Sequence, residues 1–127
     1  MTFMIQMEQD GILRIHLEGD ITQGIVKSFK REYTPYVDAS TAEIPLKNLL
    51  YLENLGSISQ AARHFLTELN QDPRYGMAAF VSPPRKARVL GQFIQKATGR
   101  DNIQFFNNET EALSWLKNHK KATISST

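Results

Sequence analysis

Cysteine is absent from these 127 residues, which excludes disulfides, thiolate metal sites and thiol nucleophiles. Glycine-rich phosphate loops are missing as well. Gly56 stands alone, and neither a Gly-x-Gly-x-x-Gly run nor a Walker pattern occurs. Long hydrophobic runs are also lacking. Residues 1–7 are apolar but carry no basic residue and lead straight into Glu8 and Asp10, so they read neither as a signal peptide nor as a membrane span. A cytoplasmic protein is the resulting expectation. Charge is nearly balanced: a net +2 is weaker than a nucleic-acid binder of this size ordinarily carries, and no nucleic-acid partner is expected. The three histidines, His16, His64 and His119, show no ligand spacing, so neither a metal nor a cofactor is expected.

The length suits one domain with a full core, placed at 1–118, with 119–127 as a loose polar tail. Phe3, Ile5 and Met7 alternate with polar neighbours, as do Leu13, Ile15 and Leu17, and Asp10-Gly11 lies between them. Two period-2 runs about Asp-Gly predict a β-hairpin, because glycine accepts the positive φ of a tight turn. The period then changes. Ile21, Ile25, Phe29, Tyr33 and Tyr36 or Val37 share a helical face, predicting a helix over 22–34 capped by Asp20 or Thr22 and stopped by Pro35. Ile44, Leu46, Leu49 and Leu50 suggest a strand. The run from Tyr75 to Val81 is apolar on both alternations and predicts a central strand. Ser82-Pro83-Pro84 opens a third helix, prolines being tolerated in its first turn; its inner stripe is Ala87, Leu90, Ile94 and Ala97, with Phe93 flanking, and Gly99 stops it. A strand over 103–106 precedes a last helix capped by Asn107 or Asn108. The order is β-β-α-β-α-β-α-β-α, a mixed and mostly parallel α/β sheet with an antiparallel N-terminal hairpin and four helices.

Candidate functional residues cluster at two helix starts. Ile58, Ala61, Ala62, Phe65, Leu66 and Leu69 form one apolar stripe, and Ser57 with Gln60 fits a capping box, leaving Ser59 spare. Ser57 and Ser59 are candidate phosphoacceptors, since a helix N-terminus stabilises added negative charge; simple capping is the competing reading. The outward side of this helix, Gln60, Arg63, His64 and Thr67, is a candidate partner surface. Arg85, Lys86 and Arg88 open the third helix, where cations oppose the dipole, and could hold an anion or an acidic headgroup instead of merely facing solvent. Lys96 and Arg100 extend that basic surface, and Lys117, Lys120 and Lys121 add a basic end that suits acidic membranes or an acidic partner. Tyr33, Tyr36 and Tyr51 with Phe29 would line an apolar pocket under the first helix, or serve as core and rim. Glu109 and Glu111 suit the start of the last helix.

Three segments carry a family resemblance. Gly76-Met77-Ala78-Ala79-Phe80-Val81, then Ala97-Thr98-Gly99-Arg100 with Ile103-Gln104-Phe105-Phe106, and the helix from Asn108 through Ala112-Leu113 to Trp115-Leu116 resemble the STAS domain of anti-sigma-factor antagonists, especially the SpoIIAA-like bacterial proteins. The resemblance implies a SpoIIAA-like fold and a non-enzymatic regulatory role through a protein partner, with a homodimer as one assembly. Where phospho-regulated members carry Asp-Ser-Ser-Gly, this chain has Glu53-Asn54-Leu55-Gly56-Ser57, so the usual phospho-serine motif is not preserved. The same segments are similar to the CRAL-TRIO lipid-binding fold, which implies capture of a hydrophobic ligand or membrane association as the alternative.

Overall fold

The structure, a computed structural model, describes residues 3–118. Strands β1 (Phe3–Met7) and β2 (Ile12–Leu17) form the hairpin, with Met7 opposite Leu13. Gly11 takes φ 80° at the turn. The Asp10 carboxylate closes it, accepting the Ile12 N–H at 3.0 Å and the Arg14 guanidinium at 2.8 and 3.0 Å. After β2 comes a short strand, β3 (Gly19–Ile21), and then helix α1 (Gln23–Asp38). Strand β4 (Leu46–Tyr51), a second short strand β5 (Leu55–Ile58) and helix α2 (Gln60–Gln71) follow. Strand β6 (Tyr75–Val81), helix α3 (Arg85–Thr98), strand β7 (Ile103–Phe106) and helix α4 (Glu109–Asn118) complete the order.

The main sheet runs β1-β2-β4-β6-β7, parallel except for the β1–β2 pair. Strand alternation sorts its residues between two layers. Leu13, Ile15, Leu50, Ala78 and Phe80 join the larger core with Phe29 and Tyr33 of α1 and Ile94 of α3. Ile12, Leu49, Ala79 and Val81 face the other way, against Ala112 and Leu116 of α4. Neighbours β2 and β4 both continue past a bend, and their extensions β3 and β5 pair in parallel as a separate small sheet.

Three expectations need correction, and one open alternative is settled. Pro35 lies inside α1 rather than beyond it: it is exposed, and the buried stripe Phe29, Tyr33, Val37 continues past it, so packing outweighs one lost backbone bond. Of the two candidate caps, Thr22 is the one used, accepting the Ile25 N–H at 3.3 Å. Pro83 and Pro84 precede α3 instead of occupying its first turn. On α3 the buried residues are Ala87, Gly91 and Ile94, while Ala97 is exposed; a Cβ at Gly91 would meet the Phe105 ring at 3.0 Å, so the lack of a side chain lets α3 sit on that ring. The expected tail over 119–127, with His119, Lys120 and Lys121, lies outside the described residues.

The turn has a testable acid response. Arg14 first, then the Ile12 amide, lower the Asp10 carboxyl from 3.8 to about 2. A depressed carboxylate stabilises the fold above the unfolded value and loses that contribution as pH falls toward about 2. NMR titration of Asp10 should show that low midpoint, and Arg14→Ala should move it back toward the ordinary carboxylate range. An unchanged midpoint in the variant would remove Arg14 as the cause.

Candidate functional site

Between the sheet and helices α1, α2 and α3 the main core is not filled. A cavity of about 70 Å³ remains there, lined by Ile15, Leu50 and Phe80 of the sheet, Ile25, Phe29 and Tyr33 of α1, Ala62, Phe65, Leu66 and Leu69 of α2, and Ala87, Leu90 and Ile94 of α3. The i, i+3, i+4 spacing on α2 aims its stripe inward, as expected for an amphipathic helix. Three lining residues carry polar side-chain atoms, Tyr33, Asn70 and Tyr75, and the first two are already engaged. The Tyr33 hydroxyl donates to Asn48 Oδ1 at 2.5 Å. Asn70 Nδ2 donates to Thr98 Oγ1 at 3.0 Å, while its Oδ1 accepts from Asn102 at 2.8 Å. A water needs about 10–15 Å³ and two to four polar partners. The space is sufficient, but the Tyr75 hydroxyl alone falls short of two partners. Such a cavity favours an apolar guest.

We take the β3–β5 end as its mouth. The partly exposed apolar lining residues Leu17, Ile25, Val26, Leu55 and Ile58 gather there, around the buried Ile21. The Asp20 carboxylate accepts the Ser57 amide at 2.9 Å. That amide, then the Ser57 hydroxyl, hold the Asp20 carboxyl below its usual value, and Lys86 adds to the effect. The strands touch because residue 56 is glycine: a Cβ there would stand 2.5 Å from Asp20 Oδ1 and 2.9 Å from the Gly19 carbonyl carbon.

The structure separates the two candidate serines. Ser59, not Ser57, caps α2, accepting the Ala62 N–H at 3.1 Å. Ser57 belongs to strand β5 and is exposed beside Asp20. The expected capping box therefore fails, because pairing with a residue 37 positions away holds Ser57 in the small sheet. Gln60, Arg63 and His64 are exposed on one side of α2; Thr67 is half-buried and donates to the Arg63 carbonyl at 2.9 Å. His64 Nε2 lies 3.2 Å from Glu68. Arg85, Lys86 and Arg88 are exposed at the start of α3, and the effect of Lys86 on Asp20 brings that start near the mouth. Of the aromatic set, Phe29 and Tyr33 line the cavity and Tyr36 packs on the same core. Tyr51 does not belong: alternation turns it to the other sheet face, where it stacks on His16 at 4.1 Å. Among the described residues no group of His, Asp and Glu is placed to hold a metal ion, and no helix is long and apolar enough to cross a membrane.

A family model for a domain of unknown function, DUF7793, matches residues 5–120. The chain belongs to the DUF7793 family. No curated protein matches it. Among solved structures, this DUF7793 chain is similar to an uncharacterised protein of the DUF3478 family with a SpoIIAA-like fold from Shewanella loihica PV-4, with a TM-score of 0.69 and 17% identity over 91% of this chain and 92% of the other. At that identity the likeness establishes the fold, which is SpoIIAA-like.

The reassigned cap has a direct test. Ser59→Ala should cost about 1 kcal/mol in urea unfolding, while Ser57→Ala should leave α2 capped and lose less. The reverse ranking would restore the capping box at Ser57.

Proposed function

We propose that this DUF7793 member is a non-enzymatic binding domain whose core cavity takes an apolar ligand. The observation that supports this is the unfilled space itself, lined by aliphatic and aromatic groups. The polar atoms of Tyr33 and Asn70 are committed elsewhere, and the Tyr75 hydroxyl is the one lining polar side-chain group without a hydrogen bond among the described residues. A guest would be held by transfer from water, worth about 0.8 kcal/mol per methylene buried. Its inner part would carry neither charge nor hydrogen-bonding groups, since an unmatched polar group there is costly. The DUF3478 likeness supports the scaffold, not the ligand.

Native mass spectrometry of gently purified protein tests this reading. The expected result is an adduct of apolar mass, or uptake of an added medium-chain fatty acid or aromatic hydrocarbon. Ala62→Leu, which extends a buried lining residue into the space, should abolish uptake while the protein stays folded by circular dichroism. A wild-type protein that remains apo and takes up neither probe would sink the proposal.

A second reading, regulation through a protein partner, is favoured by the exposed run from Ser57 through Gln60, Arg63 and His64. Ser57 is the phosphoacceptor candidate in this reading, because the Ser59 hydroxyl is used as a cap. A phosphate on Ser57 would lie against the Asp20 carboxylate, and like charges in contact would push β3 from β5. Ser57→Asp should mimic this and change the set of proteins retained in a pull-down; an identical set would count against the switch.

A further inference from the structure

Helix α3 carries Arg85, Lys86, Arg88 and Lys96 and no acidic residue. Ala87, Gly91 and Ile94 fix its inner face. At 3.6 residues per turn the opposite face centres on Val89 and Phe93, one turn apart. Both stand in solvent, Val89 at 55% and Phe93 at 59% exposure. Arg85 lies one turn before Val89, Lys96 lies about one turn after Phe93, and Lys86 falls on the Phe93 side of the stripe. Two large apolar side chains are thus ringed by three long cations. Arg88 is turned away, its guanidinium 5.9 Å from the Phe105 ring centre. Among the described residues Arg85, Lys86 and Lys96 form no salt bridge within the fold, although Lys86 acts on Asp20 through space. Cations in the first turn also oppose the helix dipole. Neither the exposed apolar pair nor the uncompensated charge serves the packing of α3.

We propose that this face of α3 docks on an anionic lipid surface. Val89 and Phe93 enter the boundary between headgroups and acyl chains, and Arg85, Lys86 and Lys96 meet the phosphates. The pattern is that of an interfacial helix lying in the membrane plane, with shallow apolar insertion and basic flanks. A lipid surface fits better than a protein partner, because a stable protein interface needs roughly 800 Å² on each side, far more than two side chains supply. The face adjoins the cavity mouth through Lys86 and Asp20, so docking would bring the mouth toward the bilayer. The inference does not depend on the cavity being filled.

Co-sedimentation of the full chain with vesicles tests it. The protein should pellet with phosphatidylglycerol–phosphatidylcholine vesicles, far less with phosphatidylcholine alone, and progressively less as salt rises. Lys86→Ala and Lys96→Ala should each weaken binding about fivefold, and Phe93→Ser about tenfold, with thermal melts unchanged because all three side chains are exposed. Absence of pelleting with anionic vesicles at low salt overturns the proposal. So does pelleting that survives Val89→Ser combined with Phe93→Ser, which would assign the contact to other lysines. A solution dimer lost in Phe93→Ser without vesicle binding would assign the face to a second copy, and tighter binding to duplex oligonucleotide than to vesicles would assign it to nucleic acid. Both of these results also overturn it.

Discussion

The hydrogen bond between the Tyr33 hydroxyl and Asn48 ties α1 to the middle of the sheet beside the unfilled space. Asn48 is fully buried in β4, between β2 and β6, with its amide donating to the Met77 carbonyl at 3.1 Å. Its Oδ1 has Tyr33 as its partner. Burial pushes the Tyr33 hydroxyl well above its ordinary pKa, so it remains a neutral donor. Losing either member would strand a polar group in the core at a cost of about 1–3 kcal/mol. The distance between helix and sheet is therefore held by a rigid ring ending in a directional bond. Phe29, stacked on Tyr33 at 5.2 Å, extends the same spacer along α1. Aliphatic side chains beside such a spacer do not have to meet, and here they leave room.

The far end of α2 is anchored by polar bonds of another kind. Arg100 Nη1 donates to the carbonyls of Asn70, Asp72 and Tyr75 at 3.0, 3.3 and 2.7 Å. Asn102 donates to Asn70 Oδ1 and to the Gly76 carbonyl. Together they tie the C-terminus of α2 to the start of β6 and the α3–β7 connection. The N-terminal end of α2 has the Ser59 cap and the short β5 strand. Opening free energies are lowest where buried contacts and ordered bonds are few. Local opening is therefore easier at the β3–β5 end than at the anchored C-terminal end of α2.

Much of this was legible in the sequence, for identifiable reasons. Asp10-Gly11 between two alternating runs specified the hairpin, and 3.6-residue periodicity specified all four helices. Pro35 misled because its local effect was given more weight than the apolar stripe, which reaches Val37. β3 and β5 were missed because strands of three and four residues show no readable period and are held by each other. Ser57 and Gln60 had the right spacing for a cap, yet the deciding contact, with Asp20, is remote in sequence. Tyr51 was placed wrongly, although alternation from Leu46 through Asn48 and Leu50 assigns odd positions to the opposite face. Thr98-Gly99-Arg100 was read for family resemblance, Arg100 also as part of a basic surface, and Asn102 was not singled out; Arg100 and Asn102 instead anchor α2. The cavity was signalled only by the aromatic face of α1, from which Phe29 and Tyr33 do line it; its size had no signal. A space is a property of how the layers stand apart, and no residue spells it.

Magnitudes connect the joint to the cavity. Besides the short β3–β5 ladder, the mouth is closed by Gly19 N–H to the Asn54 carbonyl at 2.9 Å, Ser59 N–H to the Ile21 carbonyl at 3.0 Å, and Ser57 N–H to Asp20 at 2.9 Å. Each such bond contributes about 1 kcal/mol net, because water competes for both partners. A guest that buries four or five methylenes gains about 3–4 kcal/mol at about 0.8 each. That gain matches these three bonds, and the β3–β5 ladder adds to what holds the joint together. The strands close fully because residue 56 is glycine, and Asp20 accepts the Ser57 amide across the joint.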